Sequence, residues 1–485
     1  MTVSRKPRSL PDEQKLRLWG GVGWALALTF AAAVLAAVGT LYGLVVLLDF
    51  QKIDTTAKLD AKTLFDLVKL SFGVVAGAGA LVALVVAYRR QRVDEAGAHR
   101  EATRLHTERF SQAVDKLGSD SPAVRLGGVH ALAGLADDAP DDSLRQTCID
   151  VLCAYLQLPF TPDPGTDPAH QEEHHRYLAF RKVRHTILRL IGDHYRRPKG
   201  THRSWQGCDL DLTGVTIDGN IDFQSAEFSG STVSFRDATF SSSTVSFSGA
   251  TFSSSTVLFG DATFSGSTVS FTGAEFSGST VYFTGATFSD GTVSFIRAEF
   301  SGGDVAFHGA EFSGSSVEFS SAEFSDGTVS FSDATFSGGN VHFDAARFSG
   351  SDVSFDDATF SGSDVSFSGA MFSVGKVSFH GAEFSDGALA FGSATFSGGT
   401  VHFDGATFSD AALSFRDATF SGGTMYFDGA AFSDGALSFD LATFSSGALS
   451  FPDATGPAPQ GLLAAVGTPP PAGVTLPAAW LLSAP

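Results

Sequence analysis

From Ile221 to Phe451 apolar and polar positions alternate in a 12-residue unit, Ala-x-Phe-Ser-x-x-x-Val-x-Phe-x-x. Phe recurs at 223, 235, 247 and onward to 451, and again at 228, 240, 252 and onward to 444, so 39 of the 46 Phe alternate at spacings of 5 and 7. Ala stands two residues before each member of the second set, from Ala226 to Ala442. Ile, Val, Leu or Met stands two before each member of the first, from Ile221 to Leu449. Apolar residues at i−2 and i with a polar residue between them mark a strand with one buried face. Each unit therefore predicts two strands, each about three to four residues long and too short to bury a face alone. Units must stack, so that each Phe meets the Phe of the next coil in an internal ladder. Ser follows every Ala-x-Phe, from Ser229 to Ser445, and Gly, Asp and Ser crowd the connecting segments as turns require. A helix is excluded, because spacings of 5 and 7 amount to about 500° and 700° of rotation and scatter the Phe around the axis. The expected fold is a β-solenoid.

Ala-x-Phe-Ser-Gly and Val-x-Phe-x-Gly each resemble one unit of a pentapeptide repeat, in which a small residue at i−2 and a bulky one at i point inward. Two such units and two extra turn residues make the 12. A four-sided coil takes 24 residues and gives about 10 coils and a rod of about 45–50 Å; a two-sided coil takes 12 and gives about 19 coils and roughly 90 Å. The four-sided coil is favoured, since four Phe per coil fill a square core. Both cross-sections fit the spacing.

The chain is 485 residues long, enough for two or three domains. Residues 1–18 are basic, with Arg5, Lys6, Arg8, Lys15 and Arg17. Residues 19–48 and 70–88 carry no charge and are rich in Ala, Leu and Val. Each is long enough to predict a transmembrane helix, and the first is too long for the core of a signal peptide. Lys and Arg are numerous before the first span and, as Arg89, Arg90, Arg92 and Arg100, after the second. That bias predicts a hairpin with both ends in the cytoplasm and 49–69 as an external loop. Gly73, Gly77 and Gly79 suit close helix packing.

Residues 89–207 read as a helical module with a linker. Phe110, Val114 and Leu117 recur at helical spacing, as do Val124, Val129, Leu132 and Leu135, then Ile149, Leu152 and Leu156. Ser121-Pro122 and Asp141-Asp142 are expected helix starts, and Thr161–Gly165 an exposed linker. The stretches Arg109–Asp120, Val124–Leu132, Val151–Leu156 and Val183–Gly192 resemble the helical module of actinobacterial membrane-anchored pentapeptide-repeat proteins. In that family two spans, this module and a pentapeptide solenoid follow in this order, so the resemblance covers nearly the whole chain. The fold it implies is two transmembrane helices, a small all-α module and a right-handed pentapeptide-like β-helix over 208–455. The departure is the repeat, whose sequence period is 12 rather than five. Leu210, Leu212, Val215 and Ile217 already follow the inward pattern before the regular period begins. Residues 456–485, rich in Pro, Ala and Gly, are expected to be mostly disordered or extended. Trp480, Leu481 and Leu482 are expected to fold back over the open end of the solenoid.

The formal net charge is −20, and residues 221–451 alone hold 26 Asp and Glu against Arg236, Arg297, Arg347, Lys376 and Arg416. This sign disfavours direct nucleic-acid binding. It fits a soluble outer surface; the resemblance adds mimicry of a DNA surface, as proposed for pentapeptide proteins that act on topoisomerases.

Catalytic signals are sparse. His170, Glu172, Glu173, His174 and His175 cluster, but Gln171 stands where a His-Glu-x-x-His zinc motif needs its Glu. Cys148, Cys153 and Cys208 have neither zinc spacing nor a disulfide framework and suit a reducing compartment. Phosphate loops, nucleophile elbows and dinucleotide fingerprints are missing. Glu275, Glu299, Glu311 and Glu323 occupy outward places and are expected to form surface ladders. Thr232, Thr244, Thr256, Thr268, Thr280 and Thr292 stack at period 12, a spacing weighed for ice binding, but the array breaks at Asp304, Asp352 and Lys376. No catalytic, cofactor-binding or metal-binding residue is assigned. The expected function is a membrane-anchored, non-enzymatic interaction scaffold with an unidentified protein partner. The alternatives are a topoisomerase-modulating DNA-surface mimic and a sensor or enzyme acting through the helical module.

Overall fold

The computed structural model describes eight positions between Leu28 and Tyr42 and residues 61–161, 163–433, 437–458, 461–467, 469–470 and 473–482. The expected basic segment 1–18 lies outside these residues, as do most of the first span and residues 49–60 of the external loop. The chain divides into two units, Met1–Leu105 and His106–Pro485.

Helix α1 runs without a break over Ala61–Leu117. It takes in the second uncharged run and continues into the expected module. The change from apolar to charged residues near 89 alters the surroundings a helix suits, but no Pro in the segment ends it. Along the uncharged run, the described apolar side chains Leu81, Leu84 and Tyr88 are exposed. Among the described residues, no helix is long and apolar enough to cross a membrane.

Three further helices complete the module: α2 (Pro122–Asp137), α3 (Asp142–Gln157) and α4 (Gln171–Tyr195), the last preceded by a short 3-10 turn at Pro168–His170. Both expected starts are found. Pro122 opens α2 in the first turn, where its missing N–H costs nothing. Asp141 caps α3, its carboxylate accepting from the Leu144 amide at 2.9 Å. Val129, Leu132, Leu135, Ile149, Leu152 and Leu156 are buried as their spacing predicts, whereas Val124, off that stripe, is 43% exposed.

The solenoid coil has 24 residues. Within the regular repeat, strands pair in parallel with strands 24 positions on, Glu275 with Glu299 and Thr263 with Thr287 among them. In the first coil the offset is 23 where Leu210 pairs with Val233 and Thr216 with Thr239. The rod has about 11 turns. Two of the four faces are separate 10-stranded sheets; the other two merge into one 17-stranded sheet. They merge where strands such as Glu275–Tyr282 and Glu299–Ala306 run through the shared corner.

The four Phe columns form the core. Rings one coil apart stack nearly parallel, as in Phe283–Phe307 (4.7 Å, 2°), and rings of opposing columns meet edge to face, as in Phe283–Phe295 (6.4 Å, 89°). Both are favourable aromatic geometries. After each Val-x-Phe strand the chain turns through a residue with positive φ, from Ser225 to Asp453. The following Ala donates back to the Phe carbonyl, Ala286 to Phe283 at 3.0 Å for example. Gly, Asp and Ser fill most of these places, but Arg297, Ala345 and Leu441 also adopt φ of 57°, 56° and 60°. A side chain there costs about 1–2 kcal/mol.

The C-terminal segment departs from expectation. Its described residues form α5 (Leu462–Val466), a short strand Val474–Thr475 that pairs with Leu449–Ser450, and α6 (Ala478–Leu482). The indole of Trp480 lies edge-on to Phe451 at 5.1 Å and donates to the Gly456 carbonyl at 3.0 Å. Trp480 thus covers the last coil as expected, while Leu481 stays exposed. Low sequence complexity hid this segment, because its order comes from a preformed edge and not from its own pattern.

Candidate functional site

The non-repetitive chemistry of the His106–Pro485 unit gathers where the helical module meets the first coil. Helix α4 lies directly on that coil. At Gly192 a Cβ would come within 2.5 Å of the Asp222 carbonyl oxygen, so only Gly allows the approach. One turn on, the Tyr195 ring packs on Phe228 at 5.0 Å and its hydroxyl donates to the Cys208 carbonyl at 2.6 Å. Arg196 donates to the carbonyls of Asp222 (2.8 Å) and Gln224 (3.0 Å). Arg184, buried, bridges the Leu156 carbonyl (2.8 Å) and the Thr216 carbonyl (2.9 Å). These contacts close the N-terminal edge of the solenoid, which would otherwise offer unpaired backbone groups.

Two polar clusters reinforce the junction. Asp218 receives the Tyr177 hydroxyl and Arg181 Nε (3.1 Å), with His185 Nε2 at 3.4 Å. Burial pushes the Asp218 carboxyl up, but the bonds from His185 and Tyr177 and the charge of Arg181 outweigh it and hold it below the usual carboxylate range. Burial, with the Asp218 carboxylate beside it, pushes the Tyr177 phenol up to about 12. In the second cluster Asp137 accepts from Trp205 Nε1 at 3.0 Å and pairs with His194 at 3.1 Å, and the His194 and Trp205 rings stack at 4.1 Å. The Asp218 cluster ties module to coil, while the Asp137 cluster holds the segment at Trp205 that leads into the first coil against α2 and α4.

A cleft of about 470 Å³ opens among α2, α3, α4 and the loop between α3 and α4. Tyr155, Phe160, Tyr177 and Phe180 supply aromatic walls, and Arg125, Arg176 and Arg184 supply guanidinium groups. Part of the expected exposed linker, Thr161 and Pro164, forms one wall. These residues lie on separate segments, and only the 3–4 spacing of Glu173, Arg176, Tyr177, Phe180 and Arg184 along α4 was available as a sequence signal.

The residues singled out from sequence are placed otherwise. His170 pairs with Glu173 at 3.1 Å and His174 with Asp163 at 2.6 Å, while Glu172 and His175 are exposed at the start of α4. Among the described residues, no group of three or more His, Cys, Asp or Glu is placed to hold a metal. Cys148, Cys153 and Cys208 are free and buried. Burial pushes their thiols up to about 11, 12 and 11 respectively. Cys148 lies 3.7 Å from His106, but its raised pKa makes it a poor nucleophile. Glu275, Glu299 and Glu323 do stack in one column, whereas Glu311 sits on a different face between Thr287 and Thr335. The six Thr divide into two columns, Thr232-Thr256-Thr280 and Thr244-Thr268-Thr292, on separate sheets. A 12-residue spacing on a 24-residue coil alternates between opposite faces, so the single flat Thr array does not form.

No curated protein matches this chain. The family model described as pentapeptide repeats (9 copies) matches residues 212–260, the first two coils. That match and the four-sided coil together support reading the chain as a pentapeptide-repeat protein.

Proposed function

We propose that the chain is a membrane-tethered, non-enzymatic interaction scaffold whose acidic solenoid binds a protein partner in the cytoplasm. The observation that carries the reading is the solenoid itself. Its inward positions are filled by stacked Phe, and its outward positions repeat Ser, Thr, Asp and Glu at fixed spacing. Such a surface suits binding along its length, and among the described residues its convex faces offer no pair of carboxylates across a cleft for acid–base chemistry. Support for the tether comes from the uncharged runs 19–48 and 70–88, and the Lys and Arg bias favours both termini in the cytoplasm. The acidic rod repels nucleic acid, so direct nucleic-acid binding is not part of the proposal.

The test pairs topology with capture. A single reporter Cys after Phe451, in a background lacking Cys148, Cys153 and Cys208, is expected to resist a membrane-impermeant thiol reagent until cells are lysed. Labelling of intact cells overturns the cytoplasmic placement. Full-length protein in detergent extract is expected to retain a partner that a variant with Asp and Glu of 221–451 changed to Asn and Gln does not. Equal capture by the two proteins refutes the acidic surface as the binding element.

The DNA-surface mimic is the second reading, favoured by the carboxylate column of Glu275, Glu299 and Glu323. It requires salt-sensitive binding to a purified topoisomerase. Binding that is unchanged in the neutralised variant removes it.

A further inference from the structure

The cleft beneath the loop between α3 and α4 is built from two kinds of group that the scaffold role does not use. The first is cationic. Arg125 donates to the Ser119 carbonyl and, through Nη1, to the Tyr155 hydroxyl at 3.0 Å. Among the described residues its Nη2 has no protein acceptor and no carboxylate pairs with it. Arg184 is buried, and both its terminal amino groups donate to carbonyls, again with no ion pair among the described residues. Arg176 adds a third guanidinium at the rim, held at 3.3 Å to Glu172. Against these the cleft wall contributes one carboxylate, Glu173, which faces His170 at 3.1 Å.

The second kind is aromatic. The Arg125 guanidinium lies 4.5 Å from the Phe180 ring centre and that of Arg184 lies 4.7 Å from Phe160. Phe160 and Tyr177 adjoin at 5.3 Å. Flat cations held on flat rings present a surface on which another flat group can stack, with N–H donors at its edge. Guanidinium charge that lacks a counter-ion in a partly dried cleft is costly, and an incoming anion relieves that cost. Burial lowers the proton affinity of Arg184, with Asp218 and Tyr155 acting in the opposite sense.

We infer that this cleft is a binding site for a small organic anion with a flat apolar body, its carboxylate or phosphate facing Arg125 and Arg176 and its ring lying among Tyr155, Phe160, Tyr177 and Phe180. The volume of about 470 Å³ is that of a small-ligand pocket. Carboxylate and phosphate are both served by the guanidinium edge, and the test separates them. The site is confined to the module, so its failure leaves the solenoid reading intact.

The experiment is calorimetric titration of the full chain in detergent with two probes. Adenosine monophosphate offers a phosphate on a flat purine; indole-3-acetate offers a carboxylate on a flat indole. Adenosine, indole and inorganic phosphate are the controls that lack one of the two features. At least one probe is expected to bind tenfold or more tightly than both of its single-feature controls. Arg125→Gln should weaken that probe tenfold or more. Arg176→Gln, at an exposed position that keeps the fold, should weaken it several-fold. Arg189→Gln, paired with Asp193 away from the cleft, should not change it. Binding of both probes no tighter than their controls, or equal binding by Arg125→Gln, Arg176→Gln and the unchanged protein, overturns the inference.

Discussion

The solenoid and the helical module bury their cores by opposite strategies. In the solenoid each Phe meets rings like itself, one coil above and one below, so each contact is one copy of a repeated contact. In the module no contact recurs: Trp205 on His194, Tyr195 on Phe228 and Arg184 between Leu156 and Thr216 each occur once. Repetition makes the rod tolerant along its length and weak at its ends. The module is specific because it must fit one end. The contrast predicts that damage in the rod stays local, while damage at the junction exposes the whole edge.

The largest test strikes the rod. Phe295→Ala should cost about 3–5 kcal/mol by opening a cavity in a packed column. Hydrogen exchange should rise chiefly in coils holding Phe271 and Phe319, and loss of protection throughout the rod would contradict nearest-neighbour stability. The junction comes next. Gly192→Ala would ordinarily favour a helix, yet here the added methyl meets the Asp222 carbonyl. It should cost ~1–3 kcal/mol, with limited proteolysis appearing between 196 and 209 ahead of the rod. A third test titrates the junction. The folded Asp218 carboxyl is held below its unfolded value, so its contribution is present above about pH 4 and is lost as the pH falls through the lowered value. Tyr177 has the opposite sign: raised to about 12, it contributes below about pH 10 and loses that contribution between about 10 and 12. Thermal melts across both windows should soften the module first, and Asp218→Asn should flatten the acid limb.

Two smaller effects sharpen the account of the rod. Ala345→Gly should stabilise by about 0.5–1 kcal/mol in chemical denaturation, because Gly suits the positive φ at no steric cost. Glu299→Gln should stabilise by roughly 0.2–0.5 kcal/mol at low salt, since Glu299 lies directly between Glu275 and Glu323 and like charges opposite one another repel. That gain should vanish at high salt.

What could be read from sequence follows the same division. The Phe spacing established strands, inward positions and stacking, since burial of a periodic face leaves a periodic record. It left the coil at either 12 or 24 residues because both halves of the coil carry the same pattern, and the turn conformations decide between them. The same ambiguity placed Glu311 with Glu275 and ran six Thr into one array. In the module, helix starts at Pro122 and Asp142 were legible from local chemistry. The cleft was not, because Arg125, Tyr155, Phe160 and Phe180 come together only through tertiary packing. The sequence drew notice to His170–His175 because those residues are adjacent in the chain, whereas the Asp218 and Asp137 clusters join positions far apart in it.

The 12-residue unit is half of the 24-residue coil, and this sets how the rod can change length. Opposite faces accept the same strand, so a slip in copying the gene that adds or removes one unit leaves every Phe with a neighbour. The rod then grows or shrinks in steps of about 2.4 Å, half the strand spacing. An odd number of units also turns everything beyond it, including the Trp480 lid, half-way round the axis. Lineages that vary the unit count would therefore change two properties at once: the reach of the rod and the side on which its tip points.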